Sequence, residues 1–219
     1  NLAKAHSEKA PVQTDQTNAD HLALATGFAD ELLAAGGMPA DYCALETELV
    51  SKKDQVPLLV HLAAKLALSR STVLLWKGPA HLSVVFAMYK EHQRILSSNE
   101  FSGGEDFLRR KVNQLEWLFA GREDLTWDLF AVDDGCPEGS GRIAQKIIDE
   151  DNLGQKVQVL FLADAIEQGV PVVAPLTDTS QSMKGGSVEL GMWTAAQQDK
   201  ENHVVVFTDA DLSTHLGQA

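Results

Sequence analysis

The chain has 219 residues, 44% of them apolar and 22% charged, enough for one α/β core plus a helical appendage. Its net charge is −13, and 22 of the 31 acidic residues lie after His81, against 11 of the 18 basic ones. Such a surface repels a polyanionic backbone and argues against duplex DNA or RNA as a partner; a phosphorylated small molecule stays compatible if a metal ion supplies positive charge.

The two cysteines, Cys43 and Cys136, fit neither a disulfide framework nor a metal-ligand spacing. No signal-peptide pattern is visible, so a reducing, cytoplasmic setting is expected. Unbroken apolar stretches such as residues 170–176 are too short to span a bilayer. The chain starts at Asn1 without a methionine, and further residues are expected before it.

Residues 1–18 are polar and expected to be loose. Asp20 reads as the cap of a helix running to about residue 35, with Leu24, Phe28 and Leu32 on one face and Gly36-Gly37 as its stop. A second helix is expected from near Asp54, carrying Leu58, Leu59, Leu62 and Leu66. Residues 1–81 therefore read as a helical N-terminal extension packed on the main domain, with an interaction module as the alternative. From Leu82 the pattern changes. Residues 83–87 form a short apolar strand, followed by a polar helix start around 91–96 and a helix over 106–119 with Leu108, Val112, Leu115 and Phe119 in register. Residues 127–132 predict the next strand, 141–150 a helix, 156–161 a strand, 183–198 a helix and 204–207 a last strand. This alternation predicts an α/β fold with a mainly parallel sheet and helices on both faces, over residues 82–219.

In an open parallel sheet, ligands bind beyond the carboxyl ends of the strands. Each polar cluster of this chain follows such an end: Tyr89-Lys90-Glu91 after the first strand, Asp133-Asp134-Gly135 after the second, and Asp209-Ala210-Asp211 after the last. Two carboxylates two residues apart can hold a hard divalent cation, Mn²⁺ or Mg²⁺, bridging to a phosphate. Lys184 opens a helix, where free N–H groups and an ammonium together favour an anion. Taken singly these segments are ordinary. Asp-Asp-Gly is a common tight turn, Lys-Gly-Gly a common loop into a helix, and His215 reads as a surface residue. Cys136 lacks a paired histidine and is not expected to act as a nucleophile. No Gly-x-x-x-x-Gly-Lys-Ser/Thr loop is present.

Four motifs in order carry a resemblance. The run from Ser83 to Ile95 is similar to "S-V-V-I-P-A-Y-N-E-x-x-R-I", and that from Val132 to Ser140 resembles "V-D-D-G-S-x-D-G-S/T". Lys184 to Gly191 resembles "K-G-G-A-V-x-x-G", and Thr208 to Ser213 resembles a metal-binding "D-A-D-L-S". From Leu82 onward the chain resembles the donor half of a family-2 glycosyltransferase of the Rossmann-like GT-A fold, nearest to polyprenyl- or dolichyl-phosphate sugar transferases. The resemblance implies a metal-dependent transferase taking a UDP- or GDP-linked sugar. It implies that Ala87, Tyr89 and Glu91 line the base and ribose pocket, and that Asp133 and Asp134 read base and ribose. Lys184 would face the diphosphate, Asp209 would orient ribose or metal, and Asp211 would be the direct metal ligand. A lipid-phosphate acceptor and membrane association would follow from the same likeness. The general base would come from beyond Ala219, and an uncovered edge at the last strand would favour a homodimer or covering by residues 1–81.

The sequence departs from the family at Ala87 (usually proline), Lys90 (usually asparagine) and Cys136 (usually serine). Two other readings remain: a sugar nucleotidyltransferase, although no Gly-rich basic loop follows the first strand, and a non-catalytic nucleotide- or partner-binding domain.

Overall fold

The computed structural model describes residues 2–218; Asn1 and Ala219, the outer limits of the two expected domains, and the general base expected past Ala219 lie outside it. Two compact units are present. One comprises Asn1–Lys77, Asn113–Arg122 and Leu212–Ala219, the other Gly78–Val112 and Glu123–Asp211.

The first unit is helical: α1 (Leu2–Lys9), α2 (Ala19–Ala34), α3 (Pro39–Ser51) and α4 (Leu58–Leu75). The cap of α2 is Asn18 rather than Asp20, its Oδ1 accepting from Asp20 N at 2.8 Å and His21 N at 3.3 Å. Asp20 sits in the first turn, where a carboxylate complements the free N–H groups. Ala25, Phe28, Ala29 and Leu32 recur at helical spacing and are buried with Leu59, Leu62, Ala63, Leu66 and Ala67 of α4. Gly36, at φ +77°, ends the α2 segment in the left-handed region that glycine tolerates. Tyr42 then ties the turn: its hydroxyl donates to Leu32 O and accepts from Gly37 N, both at 3.1 Å.

Further differences from the sequence reading follow in this part. Residues 2–9 form a helix, and His6 stacks on Phe28 with ring centroids 4.0 Å apart. A helix not foreseen, α3, begins with Pro39, whose fixed φ suits the first helical position. The next helix begins at Leu58, after Pro57, and not near Asp54. It is long and apolar enough to cross a membrane by length and composition, although no unbroken apolar stretch is; half of it is buried.

The second unit is α/β, with a four-stranded, all-parallel sheet in the order β3-β2-β1-β4. Its strands are β1 (Ala80–Met88), β2 (Leu125–Asp133), β3 (Val157–Phe161) and β4 (His203–Thr208). The helices between them are α5 (Phe107–Phe119), α6 (Ser140–Glu150), α7 (Leu162–Glu167) and α8 (Gly185–Ala196). Residues of α5 up to Val112 belong to this unit and those from Asn113 to the helical one. Residues 91–96, expected to start a helix, form hydrogen-bonded turns instead.

Strand alternation sends side chains to both faces. On one face Val85, Phe130 and Val132 pack with Leu162 and with Leu190 and Ala195 of α8. Gly191 allows that approach, because a Cβ there would lie 2.3 Å from Val85 Cγ1. On the other face Phe86 meets Phe107 of α5 edge-on, with ring centroids 5.9 Å apart. Both rings are fully buried, each contributing about 1.5–3 kcal/mol. The register aligns Met88 with Asp133, Asp133 with Phe161, and Phe86 with Thr208, so the strands end on one rim. β4 borders the sheet, and its Val204 and Phe207 are exposed.

A polar network occupies the other end of the sheet. His81 is buried, its Nδ1 2.7 Å from Thr126 Oγ1 and its Nε2 3.3 Å from Asp128 Oδ2. Gln198 Nε2 also donates to Asp128 Oδ2, at 2.6 Å. Ser83 Oγ lies 2.8 Å from His203 Nε2.

Candidate functional site

Two loops open the rim, and they are stitched together. Lys90 N donates to Cys136 Sγ at 3.3 Å, Glu91 N donates to Ser140 Oγ at 2.9 Å, and Asp134 N donates to Met88 O at 3.0 Å. Cys136 Sγ lies 3.1 Å from Ser140 Oγ. The thiol at the position where the resembled motif has serine therefore joins the loop after β1 to the start of α6.

The two neighbouring aspartates do different things. Asp133 ends β2, is buried, and turns towards α6: Oδ1 accepts from Gly135 N and Cys136 N at 3.0 Å, Oδ2 from Gly141 N at 2.7 Å. Gly141 is required for this approach, since a Cβ there would sit 2.6 Å from Asp133 Cβ. Three N–H groups take up most of this carboxylate's acceptor capacity, and Asp133, expected to read base or ribose, is the one candidate that does not line the cleft described below. Asp134 faces the other way. Its Oδ1 accepts from Ser187 Oγ at 2.5 Å and its Oδ2 from Lys184 N at 3.2 Å, which ties the start of α8 to the end of β2.

Before α8 the backbone takes two consecutive left-handed residues, Met183 at φ +48° and Lys184 at φ +72°. Side chains other than glycine's meet steric strain there, and such strain persists only where surrounding bonds impose it. The Asp134 bonds supply that constraint. The N–H groups of Gly186 and Ser187 donate to Ser182 O and Oγ, both at 3.2 Å, so the helix start offers an anion less than its sequence suggests. What it presents is the Lys184 ammonium, which contacts Asp209 Oδ1.

Seven of the eight residues singled out in the sequence line one cleft of about 220 Å³: Ala87, Tyr89, Glu91, Asp134, Lys184, Asp209 and Asp211. Arg94 and Ala210 complete it. Arg94, which sequence reasoning passed over, donates from Nε to Glu91 Oε2 at 2.7 Å, and its Nη1 lies 3.9 Å from Asp211 Oδ2. Glu91 above all, with Glu105 and Asp211, holds the guanidinium pKa above its ordinary value. The spacing of Glu91 and Arg94, three residues apart within the first motif, was the available signal.

Lys111 was also missed. It is fully buried, lies over the Phe86 ring at 5.6 Å, and donates from Nζ to the backbone oxygen of Asp211 at 2.9 Å. Burial pushes its pKa down to about 8, against the pull of Asp211, Asp209 and Glu105. Its sequence signal was a lysine on the apolar stripe of α5, between Leu108 and Leu115.

Four carboxylates and two cations line the cleft. The candidate metal ligands, Asp209 and Asp211, are partly exposed and offer oxygen donors, which suits Mn²⁺ or Mg²⁺. Among the described residues no three His, Cys, Asp or Glu side chains converge as a metal-ligating group. The donor set thus fits an ion held by one or two carboxylates, with phosphate oxygens and water in its remaining positions.

The helical unit holds a larger cavity, about 580 Å³, between apolar Leu32, Leu45 and Leu49 and charged Lys4, Glu48 and Lys52. It contains none of the candidate site residues named from the sequence. No family model, curated protein or solved structure matches the chain.

Proposed function

We propose that the α/β unit binds a UDP- or GDP-linked sugar across the carboxyl ends of β1, β2 and β4, and that the chain is the donor-binding part of a metal-dependent family-2 glycosyltransferase. The observation that carries this reading is convergence. Residues from four separate segments, each chosen from its own sequence motif, line one cleft at the rim where parallel sheets bind ligands. At about 220 Å³ the cleft is smaller than the roughly 300–1,000 Å³ of a typical ligand pocket. It suits the diphosphate and ribose, with the base extending over the half-exposed ring of Tyr89.

The chain's own residues divide the work. Asp134 holds the start of α8 and so aims Lys184. Lys184 and Arg94 bring positive charge to the diphosphate, while Arg94 also steadies Glu91. Lys111 fixes the Asp209–Asp211 loop from beneath through the Asp211 carbonyl. A bound Mn²⁺ or Mg²⁺ would neutralise charge developing on the diphosphate leaving group. The acceptor class suggested by the motif likeness is a lipid phosphate.

Thermal unfolding with UDP or GDP, with and without Mn²⁺, tests the nucleotide site. One nucleotide should raise Tm by roughly 5–10 °C at hundredfold excess when Mn²⁺ is present. No shift with either nucleotide removes the reading. Incubation with a panel of UDP- and GDP-sugars tests the chemistry. Release of nucleoside diphosphate supports glycosyl transfer or its hydrolytic side reaction, pyrophosphate chemistry assigns a nucleotidyltransferase, and binding without turnover assigns a binding domain.

A further inference from the structure

We infer that Lys184 is a displaceable counter-ion for Asp209, so that the cleft takes up a divalent cation well only together with a diphosphate. The inference rests on the nucleotide-binding reading above and concerns how that site is regulated.

Two independent observations support it. First, the ammonium of Lys184 occupies Asp209 Oδ1, and Arg94 Nη1 stands 3.9 Å from Asp211 Oδ2. Both carboxylates that an incoming cation would use already face protein cations. Second, no group of three ligating side chains exists there among the described residues. An octahedral ion arriving alone would have to displace an ion pair in return for two protein oxygens. A diphosphate changes both conditions. It supplies further oxygen ligands, and its charge draws the ammonium from Asp209 to phosphate, leaving Oδ1 to the cation.

The backbone favours this exchange. Lys184 sits at φ +72° after Met183 at φ +48°, its amide is held by Asp134 Oδ2, and Ser187 holds the other oxygen of the same carboxylate. The Cα of Lys184 is therefore fixed, while its half-exposed side chain is left free to turn from Asp209 to an incoming phosphate. Coupling of this kind is reciprocal: the factor by which diphosphate improves cation binding is the factor by which the cation improves diphosphate binding.

The test is Mn²⁺ titration of the whole chain, with free Mn²⁺ read by electron paramagnetic resonance, alone and with saturating UDP or GDP. The wild-type chain should bind Mn²⁺ weakly alone and at least about tenfold more tightly with one nucleotide, a coupling of ordinary allosteric size. Lys184→Met should bind Mn²⁺ alone about two- to fivefold more tightly than wild type, the worth of an exposed ion pair, and show correspondingly less coupling. Lys184→Gly should behave in the same way and relieves the left-handed backbone, so a folding defect in the methionine variant does not decide the matter. Lys90→Met is the charge control, because the Lys90 ammonium lies over Tyr89, 5.5 Å from the ring. The inference is overturned if Lys184 variants bind Mn²⁺ alone no more tightly than wild type, or if Lys90→Met shifts that affinity equally. If Mn²⁺ uptake by the wild-type chain is indifferent to both nucleotides, the nucleotide reading itself fails.

Discussion

Lys111 and Asp211 meet through the main chain: a fully buried ammonium donates to the backbone oxygen of Asp211, a residue of the cleft lining, at 2.9 Å. A cation from the interior thus fixes the position of a candidate ligand through its main chain.

Lys111→Met should therefore separate stability from binding. It deletes a costly buried charge but strands the carbonyl, and the two effects oppose each other, so the net stability change should stay within about 1–2 kcal/mol. The loop carrying Asp209 and Asp211 loses its anchor, and Mn²⁺-dependent nucleotide binding should fall at least about tenfold. Urea melts and calorimetric titration measure the two quantities. Retained affinity would show that the loop holds itself.

Asp133 and Asp211 should fail in opposite ways. Asp133→Ala leaves two N–H groups of the loop after β2 and one in the first turn of α6 without their acceptor, and hydrogen bonds to a charged group are worth about 1.5–3 kcal/mol each. A loss of roughly 3 kcal/mol or more is expected, seen as a lower unfolding midpoint in urea. Asp211→Asn should leave the midpoint nearly unchanged and remove the Mn²⁺-dependent part of the nucleotide shift. Equal stability losses in both variants would contradict the division of roles.

At the opposite end of the sheet, burial holds the His81 pKa below its ordinary 6.5, with Asp128 pulling the other way. Well above pH 6.5 the ring is neutral folded or unfolded and contributes no pH dependence. As pH falls below 6.5 the unfolded chain takes up the proton first, so stability drops until the folded ring also titrates. Between pH 7.5 and 5 the wild-type chain should lose more stability than His81→Gln, measured by urea midpoints. Equal losses would show that the network accommodates the charge.

The strands and the rim were legible because buried parallel strands read as short apolar runs and because Asp and Gly mark the turns that end them. Helix α3 was not, since between Pro39 and Ser51 its fully buried apolar side chains are Tyr42 and Leu49, too few to make a stripe. The difference between Asp133 and Asp134 was hidden for another reason. Adjacent residues at a strand end point to opposite sides, and composition does not say which side carries the helix start. Lys111 was masked by its neighbours: a polar residue among Leu108, Val112 and Leu115 reads as an interruption until the carbonyl it serves is seen.

Cys136 gives the rim a clock. Its partly exposed thiol takes part in the join between the loops after β1 and β2, so a thiol reagent should react faster when that join parts. Exposed Cys43, also a free thiol, reacts without waiting and calibrates the reagent in the same tube. The ratio of the two alkylation rates, followed by mass spectrometry, reports how far the closed rim shields Cys136. A nucleotide seated across Tyr89 and Asp134 should slow the Cys136 rate alone, turning a thiol with no assigned part in catalysis into a timer of ligand residence.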